Sequence, residues 1–137
     1  MKVVTRQDVS HMLADIRGDR EYSGVMGKYA IATLESGRSS FPTRNMVTYC
    51  QDFDIDIIIF DDRLNRKHVV RTDDELHLVI RRIMLNRKTN YNRMVAHTGR
   101  NYTGREKDGK ISMSIDTLLL IMYHLGCHIE FTKRKDL

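Results

Sequence analysis

Val9-Ser10-His11-Met12-Leu13-Ala14-Asp15-Ile16 puts apolar side chains at i, i+3, i+4 and i+7, one face of an α-helix. Leu76-His77-Leu78-Val79-Ile80-Arg81-Arg82-Ile83 repeats the pattern with Leu76, Val79, Ile80 and Ile83. A second stripe follows each of these. Met46, Tyr49, Cys50 and Phe53 are answered by Leu118, Ile121, Met122 and Leu125. Two helical templates in the same order read as one supersecondary unit used twice. A duplicated helical unit is a ready way to build a two-fold symmetric binder from one chain.

Each unit is expected to open on a short β-like segment, Val3-Val4 or Val69-Val70. A polar helix start comes next, Thr5-Arg6-Gln7-Asp8 or Thr72-Asp73-Asp74-Glu75. Threonine and acids there satisfy free N–H groups and suit the positive helix end. The first helix should run to about Arg17, or Arg87 in the second unit. The last helix should begin near Thr43 or Ser114 and end at Phe53 or Leu125, with Gly126 as a stop. Each unit then closes on a strand, Ile55 to Phe60 and Cys127 to Thr132, where β-branched residues dominate.

Between the units, DDRLNRK (61–67) reads as the turn of a hairpin. Isolated strands are marginal, so the strands should pair across the units into one small antiparallel sheet. The expected fold is mainly α with short β-strands: a first unit over 1–60, a turn over 61–67, and a second unit over 68–137.

The chain has 137 residues, 41% hydrophobic and 30% charged, enough for a packed core. No apolar run reaches the roughly 20 residues that span a bilayer. The start, MKVVTRQDVS, lacks the apolar core of a secretory signal. Cys50 and Cys127 lie in apolar contexts, so buried thiols in a reducing cytoplasm are expected rather than a disulfide scaffold.

The net charge of +5 is unevenly placed. Residues 1 to 70 carry ten basic and ten acidic side chains; residues 71 to 137 carry thirteen and eight. From 81 to 110, nine cations (Arg81, Arg82, Arg87, Lys88, Arg93, Arg100, Arg105, Lys107 and Lys110) face only Glu106 and Asp108. Such a patch favours a polyanion, since neutralised phosphates release condensed counterions. A solvated basic face that aids solubility is the plainer alternative.

Ile31-Ala32-Thr33-Leu34-Glu35-Ser36-Gly37-Arg38, then Pro42-Thr43 and a helix closing on Phe53-Asp54-Ile55, resembles the Cro/phage-repressor class of helix-turn-helix domains. In that family a recognition helix ends in Glu-x-Gly-Lys/Arg, and a later helix closes on Leu-Gly and an apolar residue. In the second unit, Ser114-Ile115-Asp116-Thr117-Leu118-Leu119 and His124-Leu125-Gly126-Cys127 resemble that last helix. Met94-Val95 with Gly99 resembles the family's second helix. A closing strand is also similar to those of dimeric antitoxin repressors. The likeness covers 23–60 and 72–131. It departs from the family between Arg17 and Ala30, where Gly18, Gly24 and Gly27 break up any second helix. It departs again at NYTGREKDGK (101–110), where Gly104 and Gly109 each cost about 1 kcal/mol inside a helix.

The resemblance implies a sequence-specific double-stranded DNA-binding protein, a bacterial or phage transcriptional regulator working as an intramolecular pseudo-dimer. It would be no enzyme and need neither cofactor nor metal. Recognition helices would offer Lys28, Tyr29 and Thr33 in the first unit, and Asn101, Tyr102, Thr103 and Arg105 in the second, to base edges. Arg38, Ser39, Ser40 and Arg44, with Arg93, Arg100, Lys107 and Lys110, would hold phosphates. Tyr29 and Tyr102 could equally pack under the domain edge. Arg81, Arg82 and Arg87 read as a solvated face of their helix. The alternative is a protein-binding module on the same scaffold, antitoxin-like or an inhibitor of a host protein. A homodimer is a further option.

Other constellations are weaker. His124, Cys127 and His128 lack a fourth metal ligand. Asp52, Asp54, Asp56, Asp61 and Asp62 loosely resemble a metal-dependent nuclease, but Asp alternating with Ile suits the outer face of a strand. The sequon Asn101-Tyr102-Thr103 carries no meaning without secretion.

Overall fold

The computed structural model describes residues 4–21, 24–98 and 113–134. Within them lie six helices and three strands. In chain order these are α1 (Arg6–Arg17), α2 (Lys28–Ser36), α3 (Thr43–Asp52), β1 (Ile55–Asp61), β2 (Arg66–Val70), α4 (Asp73–Asn86), α5 (Tyr91–Thr98), α6 (Ile115–Leu125) and β3 (Cys127–Lys133). No helix of the described residues is long and apolar enough to cross a membrane.

The helix starts follow the side chains that cap them. The Thr5 hydroxyl accepts from the Asp8 N–H at 3.2 Å, and the Asp8 carboxylate accepts from the Thr5 N–H at 2.9 Å. That reciprocal box satisfies two donors that a helix otherwise leaves open. Thr72 caps α4 through the Glu75 N–H, and Ser114 caps α6 through the Thr117 N–H. Gly37 and Gly126 end α2 and α6 at φ +65° and +76°, a backbone region that β-carbons disfavour.

β1 is the middle strand of an antiparallel sheet of order β2-β1-β3. The hairpin to β2 forms as expected, but its turn is tighter than 61–67, since Asp61, Arg66 and Lys67 all belong to strands. Ile55, Ile57 and Ile59 are 1% exposed or less and turn to the helices. The α4 stripe (Leu76, Ile80, Ile83) and the α6 stripe (Leu118, Ile121, Met122, Leu125) join Val9, Leu13, Met46 and Tyr49 there. Residues from both halves of the chain thus share one continuous core, and α5 also packs on α6. The opening strand expected at Val3-Val4 does not form at Val4, and Val3 lies outside the described residues. Its counterpart Val69-Val70 has β1 as a partner, which Val4 lacks.

The two halves meet at two further places. Thr43 N–H donates to the Met113 carbonyl at 2.9 Å, and Ile115 N–H to the Phe41 carbonyl at 2.8 Å. These bonds close an antiparallel bridge between Pro42 and Ser114, at the starts of α3 and α6. Around it the first helices cross over. Arg6 of α1 pairs with Asp116 of α6 at 2.6 Å, while Asp73 of α4 accepts from the Thr43 hydroxyl of α3 at 3.0 Å.

One buried ion pair ties the inner end of the sheet to α4. Both Asp61 carboxylate oxygens accept from the Arg87 guanidinium, just past the helix end, the longer bond being 2.9 Å. The side chains are 2% and 8% exposed, so Arg87 is not the solvated residue its helix stripe suggested. The extra turn of chain beyond Ile83 carries it back over the sheet. Burial pushes the Asp61 carboxyl up, but the Arg87 and Leu64 hydrogen bonds outweigh it and hold it below the usual carboxylate range.

Arg87→Leu would strand a buried carboxylate, and we expect a loss of about 3–5 kcal/mol in urea unfolding. Joint replacement with Asp61→Leu should cost far less. Because the Asp61 value is lowered on folding, its contribution is present at neutral pH and lost as pH falls through the folded value, below about 4. Asp61→Asn should therefore flatten the acid limb of a stability–pH curve, and an unchanged limb would remove Asp61 from that role.

Candidate nucleic-acid interface

α2 is set by what surrounds its two ends. The stretch between α1 and α2 contains no helix among its described residues; its backbone is held by side chains instead. Arg20 donates to the carbonyls of Ile16, Arg17 and Phe53, gathering the end of α1 and the end of α3. Asp52, at the end of α3, accepts from the N–H groups of Val25 and Met26 at 3.1 and 2.8 Å. Gly24 makes that approach possible, because a β-carbon there would lie 2.2 Å from the Asp52 carboxyl carbon. Met26, 7% exposed, anchors the turn in the core.

At the other end Glu35 receives Arg17 through two bonds of 2.6 and 2.9 Å, and the Tyr49 hydroxyl donates to it as well. Burial raises the Glu35 carboxyl, yet Arg17 and Tyr49 more than offset it and the net shift is downward. Burial and the facing carboxylate push the Tyr49 phenol up. Arg6 and Gln7 donate to the Gly37 carbonyl, so the Glu35-Ser36-Gly37 string serves to stop and fasten the helix. An open cleft of about 490 Å³ lies beside this network, lined by Arg17, Arg20, Lys28, Glu35 and Phe53 among others. Its arginines and Glu35 spend polar atoms on one another and on the backbone, while Asp19, Glu21 and Lys28 on the same lining are exposed.

α2 presents its outer face and its start to solvent. Lys28, Tyr29 and Thr33 are all exposed. Tyr29 is 89% exposed, so it does not pack under the domain edge. The start of α2 has Gly27 as its cap residue, no side-chain cap bond and no acid in its first turn, so its N–H groups and positive dipole end stay open to an anion. Arg38, Ser39 and Ser40 are exposed in the loop after α2, and Arg44 in the first turn of α3. Arg93 is exposed on α5, one N–H bonded to the Lys88 carbonyl at 2.8 Å. Arg100, Asn101, Tyr102, Thr103, Arg105, Lys107 and Lys110 lie outside the described residues. Arg81 and Arg82 are exposed on α4, as the stripe required.

Val25, 88% exposed one turn before Tyr29, belongs to this surface too. The sequence hid it because valine beside Met26 reads as core; only the Asp52 clamp turns the two side chains opposite ways.

The acids that loosely resembled a nuclease are engaged one by one. Asp52 holds backbone, Asp56 holds Arg71 and Arg134, Asp61 holds Arg87, and Asp62 holds His128, while Asp54 is 70% exposed and lies 3.9 Å from Arg134. Among the described residues no three His, Cys, Asp or Glu side chains are placed to hold a metal ion. His128 instead stacks flat on Phe60 on the outer sheet face. Cys50 and Cys127 are buried free thiols, and burial pushes both upward, Cys127 to about 12.

No protein-family model, curated protein or solved structure matches this chain.

Gly24→Ala should displace the Asp52 carboxylate from the Val25 and Met26 amides. We expect a loss of about 1 kcal/mol, the net worth of hydrogen bonds whose donors can turn to water, together with faster proteolysis in the 18–27 loop. Wild-type stability and cleavage rates in this variant would show that the clamp does not set the approach to α2.

Proposed function

We propose that this chain is a sequence-specific double-stranded DNA-binding protein, a bacterial or phage transcriptional regulator that acts as an intramolecular pseudo-dimer. One observation carries the reading. Pro42 pairs with Ser114 and Ile58 pairs with Glu130, and each pair is 72 positions apart. Residues at equivalent places in a repeat would face each other in this way if a local two-fold axis passed between them, and this supports the pseudo-dimer reading. α3 and α6 start on either side of that line, and β1 and β3 follow them at the same offset.

The other supports are chemical. The resemblance to repressor helix-turn-helix domains falls on α2, α3, α5 and α6, and α2 presents Lys28 at an uncapped helix start. The basic stretch from 81 to 110 supplies a field for phosphates, less Arg87, which Asp61 neutralises. A pseudo-two-fold protein addresses two half-sites about one helical turn apart, roughly 34 Å.

The test is a binding isotherm of the full chain on duplex pools between 50 and 200 mM salt. Neutralising about six phosphates gives a logarithmic salt slope near −5. A footprint longer than one unit can cover, at one chain per duplex, is expected with it. An affinity that hardly responds to salt would sink the proposal. The neutral first half (ten cations, ten acids) favours a protein-binding module as the second reading. A stoichiometric protein partner with no retention of any duplex would decide for it.

A further inference from the structure

α4 turns a stripe of leucines and charges to solvent. Leu78 and Leu85 are 44% and 75% exposed and lie seven positions apart, so they fall on one line along the helix. Their charged neighbours form two pairs at the same spacing. Asp74 and Arg81 lie along one flank of Leu78, and Glu75 and Arg82 along the other, all four exposed. Asp74, Arg81 and Arg82 enter no hydrogen bond or ion pair among the described residues, while Glu75 accepts from the Arg71 N–H. One flank has its acid four positions before Leu78 and its arginine three after; the other has three and four. Turned end for end about Leu78, the pattern maps onto itself with its signs exchanged.

Packing a first helix on the core does not require this stripe. Counted from its capping threonine, α1 carries His11 and Gly18 where α4 has the two leucines. It carries Asp8 and Asp15 where α4 has Glu75 and Arg82, so an antiparallel copy of α1 would set acid against acid. Exposed leucines cost free energy in water unless something covers them. A face with acids toward its start and arginines toward its end selects a partner with the opposite order. The chain's own α4, run antiparallel, has that order, and a two-fold contact is self-complementary in this way.

We propose that α4 is the contact face of a weak homodimer, in which two copies of the helix meet antiparallel across a two-fold axis at Leu78. Asp74 of each copy faces Arg81 of the other, and Glu75 faces Arg82. Leu78 meets its own counterpart, and Leu85 covers the start of the second α4 beside the half-exposed stem of Arg71. α4 has 14 residues and is about 21 Å long, so the contact stays below the roughly 800 Å² per partner of a standard interface. The dimer is therefore weak, and at the dilution of a DNA-binding measurement the chain is a monomer. This face holds none of the residues assigned to base edges or backbone phosphates, so dimerisation and DNA binding are separately testable.

The experiment is sedimentation of the full chain from about 1 μM to about 1 mM, where a reversible dimer is expected in the upper part of the range. Asp74→Lys or Arg81→Glu alone sets like charges opposite each other twice across the axis and should weaken association about ten-fold. An equimolar mixture of the two variants should regain wild-type association as a heterodimer, because every opposed pair is then of opposite sign. Both positions are exposed, so the core is left intact. Leu78→Cys should cross-link to a dimer under a mild oxidant. Leu85→Cys should not, since its two copies lie about 21 Å apart in this register. Cys50 and Cys127 are buried and stay out of the reaction. A wild-type chain that is monomeric at about 1 mM would overturn the proposal. A mixture that associates no better than its components, or cross-linking from Leu85→Cys as efficient as from Leu78→Cys, would overturn it as well.

Discussion

The central strand β1 is the constraint on which the rest of the molecule hangs. A strand in this position must satisfy N–H and C=O groups on both edges, and β2 and β3 supply the partners on its two sides. Its inward residues Ile55, Ile57 and Ile59 are covered by the helices, so a one-residue slip would turn three isoleucines to water. Register and burial fix each other. Once β3 is aligned on β1 with Glu130 opposite Ile58, α3 and α6 are placed beside one another, and the Pro42–Ser114 bridge closes between their starts.

Polar groups then fasten element ends that apolar packing leaves loose. Asp61 and Arg87 tie the sheet to the end of α4; Glu35, Arg17 and Tyr49 tie the end of α1 to α2 and α3. At the crossover contacts the charges are reversed between the halves. Arg6 on the first helix meets Asp116 on the last helix of the other half, whereas Asp73 on α4 lies in the field of Arg44 on α3. In the proposed pseudo-dimer these two contacts would be equivalent with their polarity reversed, which suits a pairing built within one chain.

The working surfaces diverge in the same way. The first half spends Asp52 and Glu35 on scaffold contacts and leaves Val25, Lys28 and Tyr29 outward at the start of α2. The second half holds the surplus of positive charge. The outer faces of the two halves of the chain thus differ. In the proposed function, those faces give one chain two unequal half-sites.

Local rules were enough for the helices and strands, because they depend on side chains within a few residues of one another. The stripes at Val9–Ile16, Leu76–Ile83, Met46–Phe53 and Leu118–Leu125 all fall on helices with their apolar sides inward, and Thr5, Thr72, Ser114 and Gly126 cap them as their chemistry requires. The shared antiparallel sheet also followed, since strands this short cannot stand alone. Of the interface, Lys28, Thr33, Arg38 and Arg44 were legible as exposed polar residues, but the fates of Tyr29, Val25 and Arg87 were not. For Val25 and Arg87 the deciding partner is distant in sequence: Asp52, twenty-seven positions from Val25, and Asp61, twenty-six from Arg87. Sequence periodicity reports which side of an element faces inward. Only tertiary structure brings a carboxylate from another element to a backbone amide or a guanidinium, and so decides which charge is buried and which apolar side chain is left in water.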